Sequence, residues 1–379
     1  MKTPEFYREC GFEDIGYMPY PLSSEEEYPD YIKEEVLKSV DEIQAHQGKN
    51  TVTFAFMTDI HYALNHNHTV RFKRTMRAYR EIAKRAQIDM LILGGDYTNE
   101  GCKEYKTKCF RELRALIDRE KYFPVNGNHD DGSIWDKAYI LADKATNHLT
   151  HKELYRLFYN HLPQLGAKTD ETDGALYYLY DDEAKKTRYI FLDCCDIPYV
   201  FDENGGLKYH AQWLFAMSQA QLDWLTGTAL KFDEEGWNIV FSTHSLLREG
   251  DIGNPPEIAE NMELLRRIVL AYKEGANISE SFGSGDFERH VNADFSEYTR
   301  GEIVGFFVGD YHLDAVDRYG TMPLVLAGNA VMYDKADYYV KRHDGDKTEL
   351  LFDVVTIDRD ERKIYTVRVG AGENREIDY

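Results

Sequence analysis

Phe123-Pro-Val-Asn-Gly-Asn-His-Asp130 is the stretch on which the reading of this chain turns. An apolar run ending in Gly-Asn-His-Asp reads as a buried strand. Its carboxyl end delivers an amide oxygen, an imidazole and a carboxylate to one crevice, where open α/β sheets bind ligands. Asn128 offers a neutral oxygen ligand, His129 a cationic donor for a phosphoryl oxygen or leaving group, and Asp130 an orienting partner for that imidazole. Taken alone, the tetrapeptide reads equally well as a Gly-Asn turn capped by Asp130. The rest of the chain decides between the two.

Four further apolar runs end in the same way. Val52 to Met57 leads into Thr58-Asp59-Ile60-His61, and Met90 to Leu93 into Gly94-Gly95-Asp96-Tyr97-Thr98-Asn99. Trp237 to Phe241 leads into Ser242-Thr243-His244, and Ile303 to Val308 into Gly309-Asp310-Tyr311-His312. Each run places a potential metal ligand at a strand end. Asp59 and His61 are two residues apart, as are Asp310 and His312, so on a continuing strand each pair points to one face and can share an ion. Alone, His244 would more often be a hydrogen-bonded core or rim histidine; its place in the ordered set makes it a ligand candidate.

The ordered set DxH, GDxx, GNHD, a lone His and a final GxxH resembles the calcineurin-like metallophosphoesterases, a family that includes purple acid phosphatases and cyclic-nucleotide phosphodiesterases. The resemblance spans about residues 52 to 312. It implies a four-layer α/β/β/α sandwich, two mixed β-sheets facing each other with helices outside. It implies that Asp59, His61 and His312 bind one metal ion, that Asp96 bridges to a second, and that Asn128 and His244 bind that second ion. It makes His129 the catalytic histidine, with Asp130 behind it. Asp310 is the departure, standing where the family pattern has the first His of GHxH.

The chemistry explains why these residue types belong together. Two metal ions about 3.5 to 4 Å apart lower the pKa of a bound water toward about 7 and neutralise charge on phosphoryl oxygens. At an effective dielectric near 20, two such dications repel by about 16 kcal/mol, which a bridging carboxylate and a bridging hydroxide offset. Asp96 follows two glycines that let the backbone approach closely, and it is the bridging candidate. If Asp310 is also a ligand, two dications face Asp59, Asp96, Asp310 and the hydroxide, a formal sum of zero. Oxygen-rich coordination favours Mn²⁺ or Mg²⁺ over Zn²⁺, so the expected cofactors are two divalent ions, Mn first, with Fe, Zn or Mg as alternatives. The activity expected is hydrolysis of a small phosphomonoester or phosphodiester by a hydroxide bridging the two ions. The alternative is a non-catalytic metal-binding scaffold on the same fold.

Composition narrows the partners. In 379 residues, 67 acidic against 45 basic side chains leave a net charge of -22, which repels a nucleic-acid backbone or an anionic membrane over most of the surface. A small-molecule phosphoester is the substrate expected. The five cysteines, Cys10, Cys102, Cys109, Cys194 and Cys195, form no CxxC pair and fit reduced thiols in a cytoplasm. The N-terminus has no apolar leader-like region, and no run approaches the length of a membrane span. Nothing in the sequence indicates an oligomeric state.

The remaining segments supply the frame. Residues 1–50 read as an N-terminal extension: a surface loop around Pro19 and Pro21, then an amphipathic helix with Ile32, Val36, Val40 and Ile43 on one face. Residues 51–379 form the catalytic domain. Phe72, Met76, Tyr79, Ala83 and Ala86 mark one crossover helix, and Tyr105, Cys109, Leu113 and Leu116 a second. His66 and His68 either line the pocket or are solvated loop histidines, which is the commoner meaning of HxH. Leu154, Leu157, Phe158 and Leu162 predict a helix; Ala175–Tyr180 and Tyr189–Leu192 predict an antiparallel pair. Asp193-Cys194-Cys195-Asp196 suggests a thiolate–carboxylate metal site, which the splaying of adjacent strand side chains disfavours. Helices are expected at Gln219–Leu225 and Pro255–Tyr272, and strands at Pro323–Leu326, Leu351–Ile357 and Lys363–Val369. The segment Gly275 to Gly301 is either a lid carrying phosphate-binding Arg289 and Arg300 or an ordinary excursion loop.

Overall fold

Along three neighbouring strands in the middle of the molecule, apolar side chains alternate between two cores. Tyr189, Val240 and Phe307 face one; Ile190, Ile239 with Phe241, and Phe306 face the other. A computed structural model describes residues 28–64, 66–99, 101–133, 147–169, 174–246, 258–332 and 340–379. The loop expected around Pro19 and Pro21, and Cys10, lie outside the described residues, as does the expected start of the helix at Pro255.

In chain order the first elements are α1 (Asp30–His46), β1 (Thr51–Met57), α2 (His66–Ala83), β2 (Met90–Leu93), α3 (Lys103–Ile117) and β3 (Tyr122–Pro124). β1, β2 and β3 pair in parallel, with α2 and α3 as the expected crossovers. Next come α4 (His151–Leu154), β4 (Lys168–Thr169), β5 (Tyr178–Asp182), β6 (Thr187–Phe191), β7 (Leu214–Phe215), α5 (Gln219–Trp224), β8 (Asn238–Ser242), β9 (Ile258–Ala259) and α6 (Met262–Glu274). The chain closes with β10 (Asn277–Phe282), β11 (Arg289–Asp294), β12 (Glu302–Val308), β13 (Ala315–Tyr319), β14 (Met322–Leu326), β15 (Leu351–Asp358), β16 (Lys363–Gly370) and β17 (Arg375–Asp378).

Two mixed sheets result. The first runs β17-β16-β15-β1-β2-β3 and the second β13-β14-β12-β8-β6-β5-β4. They face each other through aromatic side chains: the ring of Phe54 on β1 meets Phe307 on β12 edge-on at 5.1 Å and Tyr189 on β6 at 5.9 Å. The other side of the second sheet packs on α5 and α6 in a separate apolar core. Helices therefore flank two facing mixed sheets, as the four-layer expectation requires.

α1 lies on the outer face of the first sheet. Ile32, Val36, Val40 and Ile43 join the core of β1, and the Glu35 carboxylate accepts the Gly370 amide on β16. α6 stops at Gly275, whose φ of 67° is the left-handed conformation that ends helices.

Three expectations need correcting. The segment 275–301 is largely a hairpin, β10 paired antiparallel with β11. Arg289 donates to the carbonyls of Met217, Asp286 and Glu288, and Arg300 to those of Tyr272 and Lys273, so these guanidiniums are engaged by the main chain and do not form a phosphate-binding lid. The helix at 154–162 is broken: four α-helical residues, capped by a Thr150–Glu153 box, give way to a π turn at Tyr155–Tyr159. His68 is no solvated loop residue. It is buried in the first turn of α2, its Nδ1 3.1 Å from the His61 carbonyl oxygen.

Candidate metal centre

The five strand ends converge. β1, β2, β3, β8 and β12 all finish within two to four residues of a candidate ligand, at one edge of the facing sheets. The local backbone is not a continuing strand, as the DxH spacing suggested. Asp59, His61, Asp96, Asp310 and His312 have φ of 52°, 43°, 52°, 63° and 49°; among the described residues only Lys186 and Arg362 are other non-glycine positions with positive φ. Left-handed backbone costs roughly 1–2 kcal/mol per residue, and here it turns the donors inward from loops. Glycines supply the clearance. A side chain at Gly95 would collide with the His244 ring, at Gly127 with Asp96, and at Gly309 with Thr58 and Asp59.

Asp96 sits at the middle of the donors. Its Oδ1 is 3.3 Å from His244 Nε2, and its Oδ2 is 3.5 Å from His61 Nε2 and 3.9 Å from His129 Nε2. On one side Asp59 Oδ1 lies 3.2 Å from His312 Nε2, which is 3.0 Å from His61 Nε2. On the other, Asn128 Oδ1 is 3.0 Å from His244 Nε2. Asn128 is fixed by its own amide, which donates to the Gln212 carbonyl, and His244 by its Nδ1, 2.7 Å from the Gly94 oxygen. That leaves Asn128 Oδ1 and His244 Nε2 facing the centre. Ligand atoms of Asp59, His61 and His312 fall within 4.8 Å of one another, as do those of Asp59, Asp96 and His244, and those of His61, Asp96 and His129.

Asp310 stands at the edge of this set. Its Oδ2 accepts the Ser245 hydroxyl at 2.6 Å, and its Oδ1 is 3.8 Å from His244 Nε2. Its amide N–H donates to Asp59. Asp130 is placed differently from the orienting role expected of it. Its carboxylate accepts the N–H groups of Tyr97, Thr98 and Gly127, and so ties the Asp96 loop to the Asn128 loop. Three residues went unnoticed in the sequence. Ser245 carried no signal. Thr58 donates to Asp59 at 2.7 Å. Buried Lys106 donates to Thr98 Oγ1, Asn99 O and the His129 carbonyl; three residues before Cys109 and seven before Leu113, it lay on the apolar face of α3, which was the available clue.

The charges show what fits between these groups. Burial favours the neutral acid at Asp59 and Asp96, but the charges of His312 on the former and His244 and His129 on the latter hold both below the usual carboxylate range. Burial would neutralise His244, yet Asp96 and Asp59 keep its ring protonated well above the ordinary value. Burial pushes His61 down to about 3, Asp310 up to about 6 and, with Asp96, Asp130 up to about 7. Buried carboxylates here face the His244 and His312 rings, which Asp96 and Asp59 hold protonated as stand-in cations. A divalent ion displaces such protons, and this donor set of carboxylates, imidazoles and one amide oxygen suits it.

The calcineurin-like phosphoesterase family model matches residues 52–275. The chain belongs to that family, whose members hydrolyse phosphoesters with divalent metals. Similar solved structures include a predicted phosphoesterase of Streptococcus pneumoniae TIGR4, at 11% identity, TM-score 0.32, covering 88% of this chain and 100% of that one. Phosphopantetheinyl hydrolase of Mycobacterium tuberculosis is similar at 13% identity and TM-score 0.33, over 74% of this chain and 91% of that one. NAD nucleotidase of Haemophilus influenzae is similar at 12% identity and TM-score 0.34; 86% of this chain covers 49% of it. Comparison with curated proteins yields no match. Among the described residues no helix is long and apolar enough to cross a membrane.

Proposed function

We propose that the protein hydrolyses a small phosphomonoester or phosphodiester with two divalent metal ions. The observation that carries this reading is the Asp96 carboxylate, whose two oxygens turn to different imidazoles, Oδ1 to His244 and Oδ2 to His61. One side of it, Asp59, His61 and His312, would hold one ion; the other, Asn128 and His244 with Asp310 at its rim, would hold the second. When bound, two such ions make a nucleophile of water near neutral pH and neutralise the phosphoryl charge. The chain's own part is to orient and to move protons. His129 is partly exposed beside Asp96, whereas His244 is fully buried, so His129 is the group to meet a phosphoryl oxygen or leaving group. Asp130, Lys106 and Gly127 hold the loops that set this geometry.

The oxygen-rich set, Asp310 included, favours Mn²⁺. A net charge of -22 favours a small phosphoester over nucleic acid or an anionic membrane. A cytoplasmic setting, supported by four buried free cysteines, and a division into an extension over 1–50 and a catalytic domain over 51–379 belong to the same reading. The test is turnover of bis-p-nitrophenyl phosphate and p-nitrophenyl phosphate with added Mn²⁺. Cleavage of either is expected, and the faster of the two separates diesterase from monoesterase. A metal-loaded protein that cleaves neither returns the reading to a scaffold.

A further inference from the structure

A second set of donors forms apart from the Asp96 centre. Asp193 and Asp196 follow the end of β6 on either side of Cys194-Cys195, and His151 opens α4, so the meeting joins segments some forty residues apart in sequence. One ligand atom from each of the three lies within 4.8 Å of the others. His151 Nε2 is 4.0 Å from Asp193 Oδ2, and His151 Nδ1 is 3.8 Å from Asp196 Oδ1. These gaps are too wide for N–H···O hydrogen bonds, which close at about 2.7–3.2 Å. An ion bound through one His151 nitrogen at about 2.0–2.2 Å would draw the donors in to about 3–3.5 Å of one another. The Asp96 centre shows the same kind of spacing, 3.9 Å between Asp59 and His61 and 3.5 Å between Asp96 and His61.

An independent observation points to an occupant. Asp193 is fully buried, and its Oδ2 has no hydrogen-bond partner, while it faces His151. A buried carboxylate oxygen in that state calls for a cation or a proton. The rest of Asp193 is tied down. Its Oδ1 accepts from Asn126 Nδ2 at 3.1 Å and from the Cys195 amide at 2.9 Å. Gln221 takes the Asp193 amide N–H on its Oε1, and its Nε2 donates to the Asp193 carbonyl and to Asp196 Oδ2. The carboxylates are thus held in place before any ion arrives, which is how a binding site is built rather than how a surface cluster looks. The cysteines between them are not among the converging donors; their sulfurs contact each other at 3.9 Å.

We propose that His151, Asp193 and Asp196 bind one divalent first-row cation, Mn²⁺ or Zn²⁺, at a site separate from the Asp96 centre, with water completing its coordination. Two carboxylates balance its charge and a neutral imidazole supplies the nitrogen. The site acts as a clasp. It keeps Asp193 ionised, which strengthens the bond from Asn126, and Asn126 stands two residues before Asn128 on the loop that leaves β3. The inference does not depend on what the Asp96 centre catalyses.

Crystals of the full chain soaked in Mn²⁺ or Zn²⁺ alone test it by anomalous diffraction. The expected result is a peak within about 2.0–2.6 Å of a His151 nitrogen and of Asp193 and Asp196 oxygens. Asp96→Asn should keep that peak. Asp196→Asn, at the partly exposed edge of the cluster, should lose it and lower the metal content by one equivalent per chain. No peak at His151 with either ion overturns the proposal, whether or not the Asp96 centre fills. So does an unchanged metal content in Asp196→Asn.

Discussion

Asp353 and Asp314 meet a guanidinium; Asp59, Asp96 and Asp310 meet imidazoles. The first pair is neutralised permanently. Arg368, almost fully buried on β16, donates its Nε and Nη2 to Asp353 at 2.8 and 3.0 Å, and its Nη1 and Nη2 to Asp314 at 2.8 Å each. Asp314 lies two residues after His312, so this fixed cation anchors the loop that carries a candidate ligand. The strand-end carboxylates, in the same molecule and as deeply buried, are instead given partners that can release their protons. Burial of charge needs compensation in both places. Where the compensation is a fixed guanidinium, the result is a brace; where it is an exchangeable proton, the result is a candidate place for ions.

The largest expected effect breaks the exchangeable side. Asp96→Asn keeps the shape and removes the charge shared by both halves of the centre, so at least one metal and nearly all turnover should be lost. Elemental analysis with two ions per chain and normal turnover would defeat the bridging role. Next, His129→Asn should lower kcat by roughly 10²–10⁴ with metal content unchanged, as for loss of a general acid. His129 Nε2 is also within ligand range of Asp96 and His61, so lost metal would make it a ligand instead.

On the permanent side, Arg368→Met should destabilise the fold by about 3–5 kcal/mol in denaturant unfolding, because two carboxylates stay buried without their guanidinium. A change below about 1 kcal/mol would mean that Arg375, which also lies against Asp314, compensates. Asp310→His should shift metal preference from Mn²⁺ toward Zn²⁺ without abolishing turnover. An identical activation series for mutant and parent would remove Asp310 from the ligand set. The smallest effect belongs to a carboxylate on α2 that is held by fixed cations. Hydrogen bonds from Lys84 and Arg85 lower Glu81 from 4.5 to about 2. Its depressed pKa contributes stability that is present above about pH 4.5 and lost as the pH falls toward 2. Glu81→Gln should flatten that part of the acid limb in thermal melts and lower the melting temperature at neutral pH, where the contribution is fully present.

Much of this was readable in the residues. Apolar runs ending in polar ligands located β1, β2, β3, β8 and β12, because strands buried on both faces are continuous in hydrophobicity. Helical spacing located α1, α2 and α3. Two edge strands were not readable: β13, Ala-Val-Asp-Arg-Tyr, and β17, Arg-Glu-Ile-Asp, carry the charges that protect a sheet edge and so resemble loops. The candidate ligands were named, but not the manner of their presentation. Two-residue spacing suggested one face of a strand, whereas left-handed turns held by Asp130 and by glycine clearances do the aiming. Asp130 was read with its sequence neighbour, though two of its partners, Tyr97 and Thr98, lie more than thirty residues away, and no pattern in one chain reveals such a contact. The Asp193–Asp196 pair was visible, but the imidazole it meets was not.

The left-handed turns also govern how this centre can be dissected in the laboratory. Alanine at Asp59, His61, Asp96, Asp310 or His312 would remove a donor and at the same time put a residue that tolerates left-handed backbone less well where glycine, asparagine and aspartate sit with ease. An alanine scan would therefore mix two losses and rank these positions wrongly. Asparagine at the aspartates, and a Gly/Asn pair at the histidines, separates them: the asparagine series reports the donor, and the glycine series the relief of the backbone. Any increase in thermal stability in the glycine series would measure how much the fold gives up to hold its ligands in position.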